Sequence, residues 1–222
     1  MSEANLVGYY PLNDGAGTVV RDCSGRGNDG TVISSHGQMW TNGMFGGAFA
    51  TTASAGCIDL GKPADLLLEG TSFTVSAWGR ADAFGTSTIS YYLVGRTVFP
   101  DSAGWRLGTD PGNTWSTKLS DTTRGLLFLE SAGQQSTGVW THVVAVYASA
   151  GNGTNGAVTL YVNGAAVDSS PFSAVKPDNG ASLRIGCRGD NQGYFRGAID
   201  EVRIYNRALS AADVAALSKK VP

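Results

Sequence analysis

Gly193-Tyr194-Phe195-Arg196-Gly197-Ala198-Ile199-Asp200-Glu201-Val202-Arg203-Ile204-Tyr205-Asn206-Arg207-Ala208-Leu209 runs into Ser210-Ala211-Ala212-Asp213-Val214-Ala215-Ala216-Leu217, and the change of period between the two decides the fold. Over 198–205 Ala198, Asp200, Val202 and Ile204 point one way while Ile199, Glu201, Arg203 and Tyr205 point the other, the two-residue period of a β-strand. At Ser210 the pattern turns helical. Its hydroxyl is placed to cap a helix, Asp213 three residues on completes a capping box near the positive helix end, and Val214 and Leu217 share one face. A short amphipathic helix after a strand predicts a clasp over a sheet, with each of those two side chains contributing roughly 1.5–3 kcal/mol on burial.

Upstream the chain reads as short strands parted by Gly, Pro, Asp and Asn. Leu6–Leu12 is a first strand, ended by Asn13-Asp14-Gly15, and further short strands fall within Met39–Leu60. In Ser72–Arg80, Phe73, Val75 and Ala77 face away from Trp78, which is expected to be covered by a second layer. Ile89–Arg96, Gly104–Thr109, Gly125–Glu130, Trp140–Tyr147, Ala157–Asn163 and Leu183–Gly186 follow, with Asn163-Gly164 as a two-residue hairpin turn. Asp110–Trp115 reads as a loop carrying a tryptophan. About a dozen strands and one helix give an all-β fold, a two-sheet antiparallel jelly-roll sandwich with one short C-terminal helix, expected as a single domain over 1–222.

A chain of 222 residues with 42% hydrophobic content can bury a core without a metal, and its 31 glycines are scattered without a period, as a turn-dense β protein requires. The 16 basic and 18 acidic residues are interleaved at net charge -2, which argues against nucleic acid and against a polybasic membrane contact. No apolar run is long enough for a membrane-spanning helix. Met1-Ser2-Glu3-Ala4-Asn5 carries no signal-peptide pattern. Cys23, Cys57 and Cys187 make an odd count, so at least one thiol stays unpaired within a monomer. Each is expected as a buried free cysteine, although pairing of two is left open by the sequence.

Asp22-Cys23-Ser24-Gly25-Arg26-Gly27-Asn28-Asp29-Gly30-Thr31 is dense in glycine and oxygen-bearing side chains. Such a loop can wrap a hard cation such as calcium, or be a plain Asx-rich turn. This loop, Leu6–Gly15, Phe73-Thr74-Val75-Ser76-Ala77-Trp78, Trp140-Thr141-His142-Val143-Val144, Leu160-Tyr161-Val162-Asn163-Gly164 and Phe195–Ser210 occur in that order. As an ordered set they resemble the laminin-G-like jelly rolls of the concanavalin A-like lectin and glucanase superfamily, over nearly the whole chain. The resemblance implies a curved sandwich that is usually a non-catalytic, extracellular or cell-surface binding module, often attached to other domains of a parent protein. It also implies a structural calcium ion pinning the beginning of the chain to its end, with Asp22 and Asp200 as side-chain ligands and carbonyl oxygens from about Asn28 and Gly30.

The same superfamily contains glycosidases, and catalysis of that kind would fall to carboxylates. Retaining hydrolysis needs two facing acids about 5–5.5 Å apart. The adjacent pair Asp200-Glu201 is expected to diverge to opposite faces, and the histidines, His36 and His142, lie far apart in sequence. His142, among valines, reads as a hydrogen-bonded core residue. No nucleophile elbow or zinc spacing is present. A carbohydrate binder needs flat apolar rings and planar hydrogen-bonding groups, which composition and expected loop placement offer in Tyr91, Tyr92, Arg96, Trp105, Trp115, Arg188, Asp190, Asn191, Gln192 and Tyr194. A lectin-like module for glycan or polysaccharide is the leading expectation, centred on the Arg188–Tyr194 loop; the alternatives are a protein-interaction or adhesion module of a larger extracellular protein and, ranked below it, a glycan-active enzyme of the same fold.

Overall fold

A computed structural model describes residues 5–34, 39–84, 90–97, 103–151, 154–177 and 180–219, which leaves His36 and Ile89 outside the described residues. Within them lie strands β1 (Leu6–Tyr10), β2 (Val19–Val20), β3 (Gly30–Ser34), β4 (Trp40–Asn42), β5 (Gly47–Thr51), β6 (Cys57–Asp59), β7 (Phe73–Ala81) and β8 (Tyr91–Arg96). They continue with β9 (Trp105–Asp110), β10 (Thr114–Asp121), β11 (Gly125–Glu130), β12 (Trp140–Ala148), β13 (Thr154–Val162), β14 (Ala165–Ala174), β15 (Arg184–Ile185) and β16 (Gly197–Tyr205), followed by helix α1 (Ala211–Leu217). The described residues thus hold more strands than the periodicity predicts, because β2 and β15 have two residues each and β4 and β6 three, too few to display a period.

The strands form two antiparallel sheets, one ordered β14-β13-β12-β7-β16-β5-β4 with β1 also on β16, the other β11-β10-β9-β8-β15-β6-β3-β2. Their inner faces share one core. Phe73, Val75 and Ala77 of β7 and Val143, Ala145 and Tyr147 of β12 meet Leu93, Trp105, Leu107, Trp115 and Leu119 from the other sheet. This is the jelly-roll sandwich the sequence predicts. Among the described residues no helix is long and apolar enough to cross a membrane.

The closing strand β16 is the centre of the first sheet, and its expected strict alternation is corrected by a bulge. Asp200 pairs with Trp78 and Arg203 with Ser76, so Glu201 and Val202 together oppose Ala77, and Glu201 has φ 54°. The extra residue shifts the phase, letting Ile199, Val202 and Ile204 all enter the core. It falls where β16 exchanges one neighbour for another: Gly197–Ile199 pair with β5 and Val202–Tyr205 with β1.

Helix α1 covers the outer face of this sheet, burying Leu209, Val214 and Leu217 against Leu6, Val144, Val146, Tyr161 and Tyr205. The Ser210 hydroxyl accepts from the Asp213 N–H at 3.1 Å while the Asp213 carboxylate accepts from the Ser210 N–H at 3.1 Å, the expected capping box. Asn163 and Gly164, at φ 49° and 83°, turn β13 into β14. Trp78 is covered by the edge of Phe45 at 5.6 Å and by the His142 ring at 5.2 Å.

Three local expectations are corrected. The first strand ends at Tyr10, because Leu12 takes a left-handed φ of 55°. Asp110–Trp115 is a tight β9–β10 turn around Asn113 at φ 62°, so Trp115 is a strand residue and not loop-borne. Cys57 and Cys187 form a disulfide, and the remaining Cys23 is an exposed free thiol, so none of the three is a buried free cysteine.

Candidate functional site

The chain crosses between sheets through the β5–β6 connection and again through the β15–β16 connection. These two crossings lie side by side: a Cβ at Gly186 would stand 2.5 Å from the Gly56 carbonyl oxygen, and the Cys57–Cys187 disulfide ties them. Beside β8 they enclose a groove of about 310 Å³ lined by Ala53, Ser54, Tyr91, Asn191, Gln192, Gly193, Tyr194 and Arg196.

The groove's outer wall is set from within. The Arg188 N–H donates to the Gln192 carbonyl at 2.8 Å, the Asn191 N–H to the Arg188 carbonyl at 3.0 Å, and the Arg188 guanidinium grips both oxygens of Asp190 at 2.8 and 3.1 Å. Arg184 donates to the Asn191 side-chain oxygen at 2.6 Å. Gly193 sits at φ 58° with its carbonyl accepting from the Tyr92 N–H at 3.0 Å, and a Cβ there would come 3.0 Å from the Ser90 carbonyl oxygen.

The floor is different, because two of its donors have nothing to bond. The Tyr91 hydroxyl and Arg196 Nε are buried without a hydrogen-bond partner among the described residues. Leaving such a group unmet costs about 1–3 kcal/mol. The Arg196 guanidinium lies 4.8 Å from the centre of the Tyr91 ring, within cation–π range.

Of the ten residues expected from the sequence to bind ligand, Tyr91, Asn191, Gln192 and Tyr194 line this groove. The rest serve packing or support. Trp105 and Trp115 are 1% exposed core residues, stacked near Phe73 and Phe195 respectively. Tyr92 is buried beneath the Arg106 guanidinium at 5.4 Å. Arg96 is buried, pairing with Glu69 at 3.5 Å and donating to the Leu66 carbonyl at 3.3 Å. Arg188 and Asp190 staple each other. Arg196 escaped the sequence reading, although it stands inside the closing motif; the signal available was a lone arginine directly before the strand's first glycine.

A larger hollow of about 630 Å³ lies along Pro11, Asn13, Asp14, Ala16, Gly17, Thr18, Val19, Arg21 and Cys23. It offers no aromatic ring, and none of its side-chain atoms is buried without a partner.

Among the described residues no group of three or more His, Cys, Asp or Glu is arranged around a point, and the four residues expected to hold calcium are placed as follows. Asp22 spends its oxygens on the N–H groups of Tyr9 at 3.0 Å, Ser24 at 2.9 Å and Asn28 at 2.9 Å and on the Ser24 hydroxyl at 2.8 Å. Burial raises its pKa, but these bonds outweigh that and leave it below the usual carboxylate value. The Asn28 carbonyl accepts from Tyr10 at 2.7 Å, and Gly30 pairs with Val20 inside a sheet. Within the loop these bonds give Asp22 the role of an Asx-turn organiser.

Asp200 is the exception. It is fully buried, its Oδ2 accepts from the Phe45 N–H at 2.9 Å, the Met44 and Glu201 backbone N–H groups also favour its charged form, and its Oδ1 makes no hydrogen bond of good geometry among the described residues. A Cβ at Gly43 would sit 2.6 Å from Oδ2, so only glycine leaves room beside the carboxylate. Burial, with Glu201 next to it, pushes its pKa up to about 7.

The bulge also corrects the expected divergence of the acid pair. Asp200, opposite outward-facing Trp78, and Glu201 lie on the same outer face, but both are buried. Glu201 is held by the Tyr9 hydroxyl at 3.0 and 3.1 Å and by Arg203 at 2.5 Å. His142 is a core residue as expected, with Nε2 2.8 Å from the Ser76 hydroxyl; burial, with the Arg203 charge, lowers its pKa to about 4.

The family comparison matches residues 54–215 to a model described as the concanavalin A-like lectin/glucanases superfamily. The chain belongs to this superfamily. Its sandwich, central closing strand and outer helix are one instance of the concanavalin A-like jelly roll. It is similar to domain 4 of AbnA, a GH43 extracellular arabinanase from Geobacillus stearothermophilus solved with arabinotriose, at 23% identity and TM-score 0.66, over 96% of this chain and 98% of that one. It is also similar to the binding domain of Paraclostridial Mosquitocidal Protein 1, at 19% identity and TM-score 0.73, over 97% of this chain and 52% of that one. The binding domain of botulinum neurotoxin DC in complex with SialylT aligns at 12% identity and TM-score 0.70, over 99% and 52%. The chain thus spans about half the length of these toxin binding domains. At such identities the likeness establishes the fold. No curated protein sequence matches the chain.

Proposed function

We propose that this concanavalin A-like chain is a non-catalytic glycan-binding module, working extracellularly or at a cell surface beside other domains of a parent protein. The observation that carries the reading is the groove between the two crossings, where Tyr91 and Arg196 hold unmet buried donors next to the amides of Asn191 and Gln192 and the ring of Tyr194. Sugars ask for this mixture of flat ring and convergent hydrogen-bonding groups. The arabinanase relative, solved with arabinotriose and described as extracellular, supports both the ligand class and the setting. A disulfide fits an oxidising compartment. Catalysis is disfavoured because Asp200 and Glu201, the adjacent acids of the closing motif, are sealed from solvent.

For the structural calcium ion, the proposal rests on Asp200 alone. Its unpartnered Oδ1 would take the cation, and the remaining ligands would have to be backbone carbonyls of the neighbouring Gly43–Gly46 turn.

The deciding experiment is a glycan array, followed by calorimetric titration of any hit against the wild-type chain and the Gln192→Ala and Tyr194→Ala variants. At least a tenfold loss of affinity with an unchanged melting temperature is expected of each variant. An array blank both with and without calcium would overturn the reading.

A further inference from the structure

Resting on the glycan-binding reading of the groove, we propose that the groove selects sugars bearing a carboxylate, and that Arg196 is the residue that recognises the acid. The argument starts from charge. Arg196 is the one charged residue in the groove lining, which contains no Asp or Glu. The neighbouring arginines are already neutralised: Arg184 by Asp59 at 3.4 Å, Arg188 by Asp190 at 2.8 Å and Arg80 by Asp82 at 3.5 Å. Arg196 has neither an ion pair nor a side-chain hydrogen bond among the described residues, and its Nε is buried with no acceptor.

With no anion beside it and its Nε shut off from solvent, the half-buried guanidinium has charge-assisted hydrogen bonds left to make with an incoming anion. The geometry further favours a planar anion. The guanidinium carbon lies 4.8 Å from the centre of the Tyr91 ring, Arg196 is only half-buried, and the planar fork of a guanidinium matches a carboxylate through two parallel hydrogen bonds. The exposed amides of Asn191 and Gln192 are placed for ring hydroxyls. At about 310 Å³ the groove stands at the small end of ligand pockets, which run roughly 300–1,000 Å³, so it suits a chain-terminal uronate or sialate residue.

The test is calorimetric titration of the full chain with two matched pairs, trigalacturonate against its carboxyl-reduced counterpart and sialyllactose against lactose, with a sulfated galactose oligosaccharide as a further arm. At least one acid should bind about ten- to a hundredfold more tightly than its neutral partner, weaken with salt, and lose that preference in Arg196→Gln. Arg196→Lys, which keeps the charge and loses the fork, should recover only part of it. The carbonyl of Arg196 accepts the Asp82 N–H and is unaffected by either change, and the reduced ligands test the wild type should a variant fail to fold. Equal affinity for acid and reduced partner, or binding confined to neutral glycans, would overturn the selectivity and leave glycan binding standing. Equal affinity for the sulfated oligosaccharide would overturn the carboxylate assignment. Binding to no glycan of any kind would overturn both readings together.

Discussion

The disulfide between Cys57 and Cys187 joins the two chain crossings that wall the groove, 130 residues apart in sequence. A loop of that length carries about 5 kcal/mol of closure entropy in the chain-entropy model, with 2–5 kcal/mol typical of native disulfides. Cys57→Ser/Cys187→Ser, or reduction of the wild type, should therefore lower unfolding free energy by about 2–5 kcal/mol and weaken glycan binding as the wall loosens. Urea unfolding with and without reductant measures the first and calorimetry the second. The exposed Cys23 supplies the control, since Cys23→Ser should leave both unchanged. A midpoint indifferent to reductant would contradict the tie.

Protonation of His142 should shape the acid limb of stability. Its folded pKa, lowered to about 4 by burial and by Arg203, lies below its value of 6.5 when unfolded. Between these two pH values the unfolded chain binds a proton at this site that the folded chain refuses, so the His142 contribution to stability falls as pH drops from about 6.5 to about 4, against an opposite contribution from Asp200, whose raised pKa of about 7 favours the folded chain as pH falls. At about 1.36 kcal/mol per pKa unit the whole effect is roughly 3 kcal/mol. His142→Gln, which keeps a hydrogen-bonding group opposite Ser76 and removes the titration, should change the pH slope of stability by that amount relative to the wild type, making the variant relatively more stable toward pH 4. Parallel slopes for wild type and variant in pH-dependent urea melts would count against it.

Why the fold could be read and half the site could not follows from what periodicity carries. Strand faces, the Asn163-Gly164 turn and the Ser210–Asp213 capping box are local, and each is decided by residues within four positions of one another. The bulge at Glu201 is not local. It is required because β16 changes partner from β5 to β1, and no feature of residues 198–205 in isolation announces it. Trp105 and Trp115 pointed to a ligand because large rings in Gly- and Asp-rich surroundings suit both a sugar platform and a core, and only the opposing sheet distinguishes the two. Arg196 went unseen for a related reason: its ring partner, Tyr91, is more than a hundred residues away in the chain, and an absent counter-ion leaves no mark in a sequence.

Arg203 and Glu201 form a buried pair on the outer face, at 2.5 Å, with Arg203 also 4.2 Å from the centre of the Tyr9 ring. Removing one partner strands the other charge away from water, which costs about 3–5 kcal/mol, whereas replacing both with apolar or neutral groups costs much less. Arg203→Met should accordingly destabilise by about 3–5 kcal/mol, and the double variant Glu201→Gln/Arg203→Met should recover a good part of that. Denaturant midpoints of the four proteins form the required cycle. Additive losses would mean that the pair is uncoupled.

Calcium, if bound through Asp200, stabilises only the folded chain, so the unfolding free energy gains RT ln(1 + [Ca]/Kd), about 2.7 kcal/mol at a hundred times Kd. For a chain of this length that corresponds to a melting shift of about 5–10 °C. Chelator should lower the melting temperature of the wild type by that order, and added calcium should restore it. Asp200→Asn keeps an oxygen to accept the Phe45 N–H but removes the charge, so its melt should ignore both treatments. Asp22→Asn provides the contrast: Asp22 accepts the N–H groups of Tyr9 and Asn28, so this variant should melt lower, and if the ion is held through Asp200 it should still respond to calcium. A wild-type melt blind to chelator and to added calcium would remove the ion from the proposal while leaving the groove, which shares no residue with Asp200, untouched.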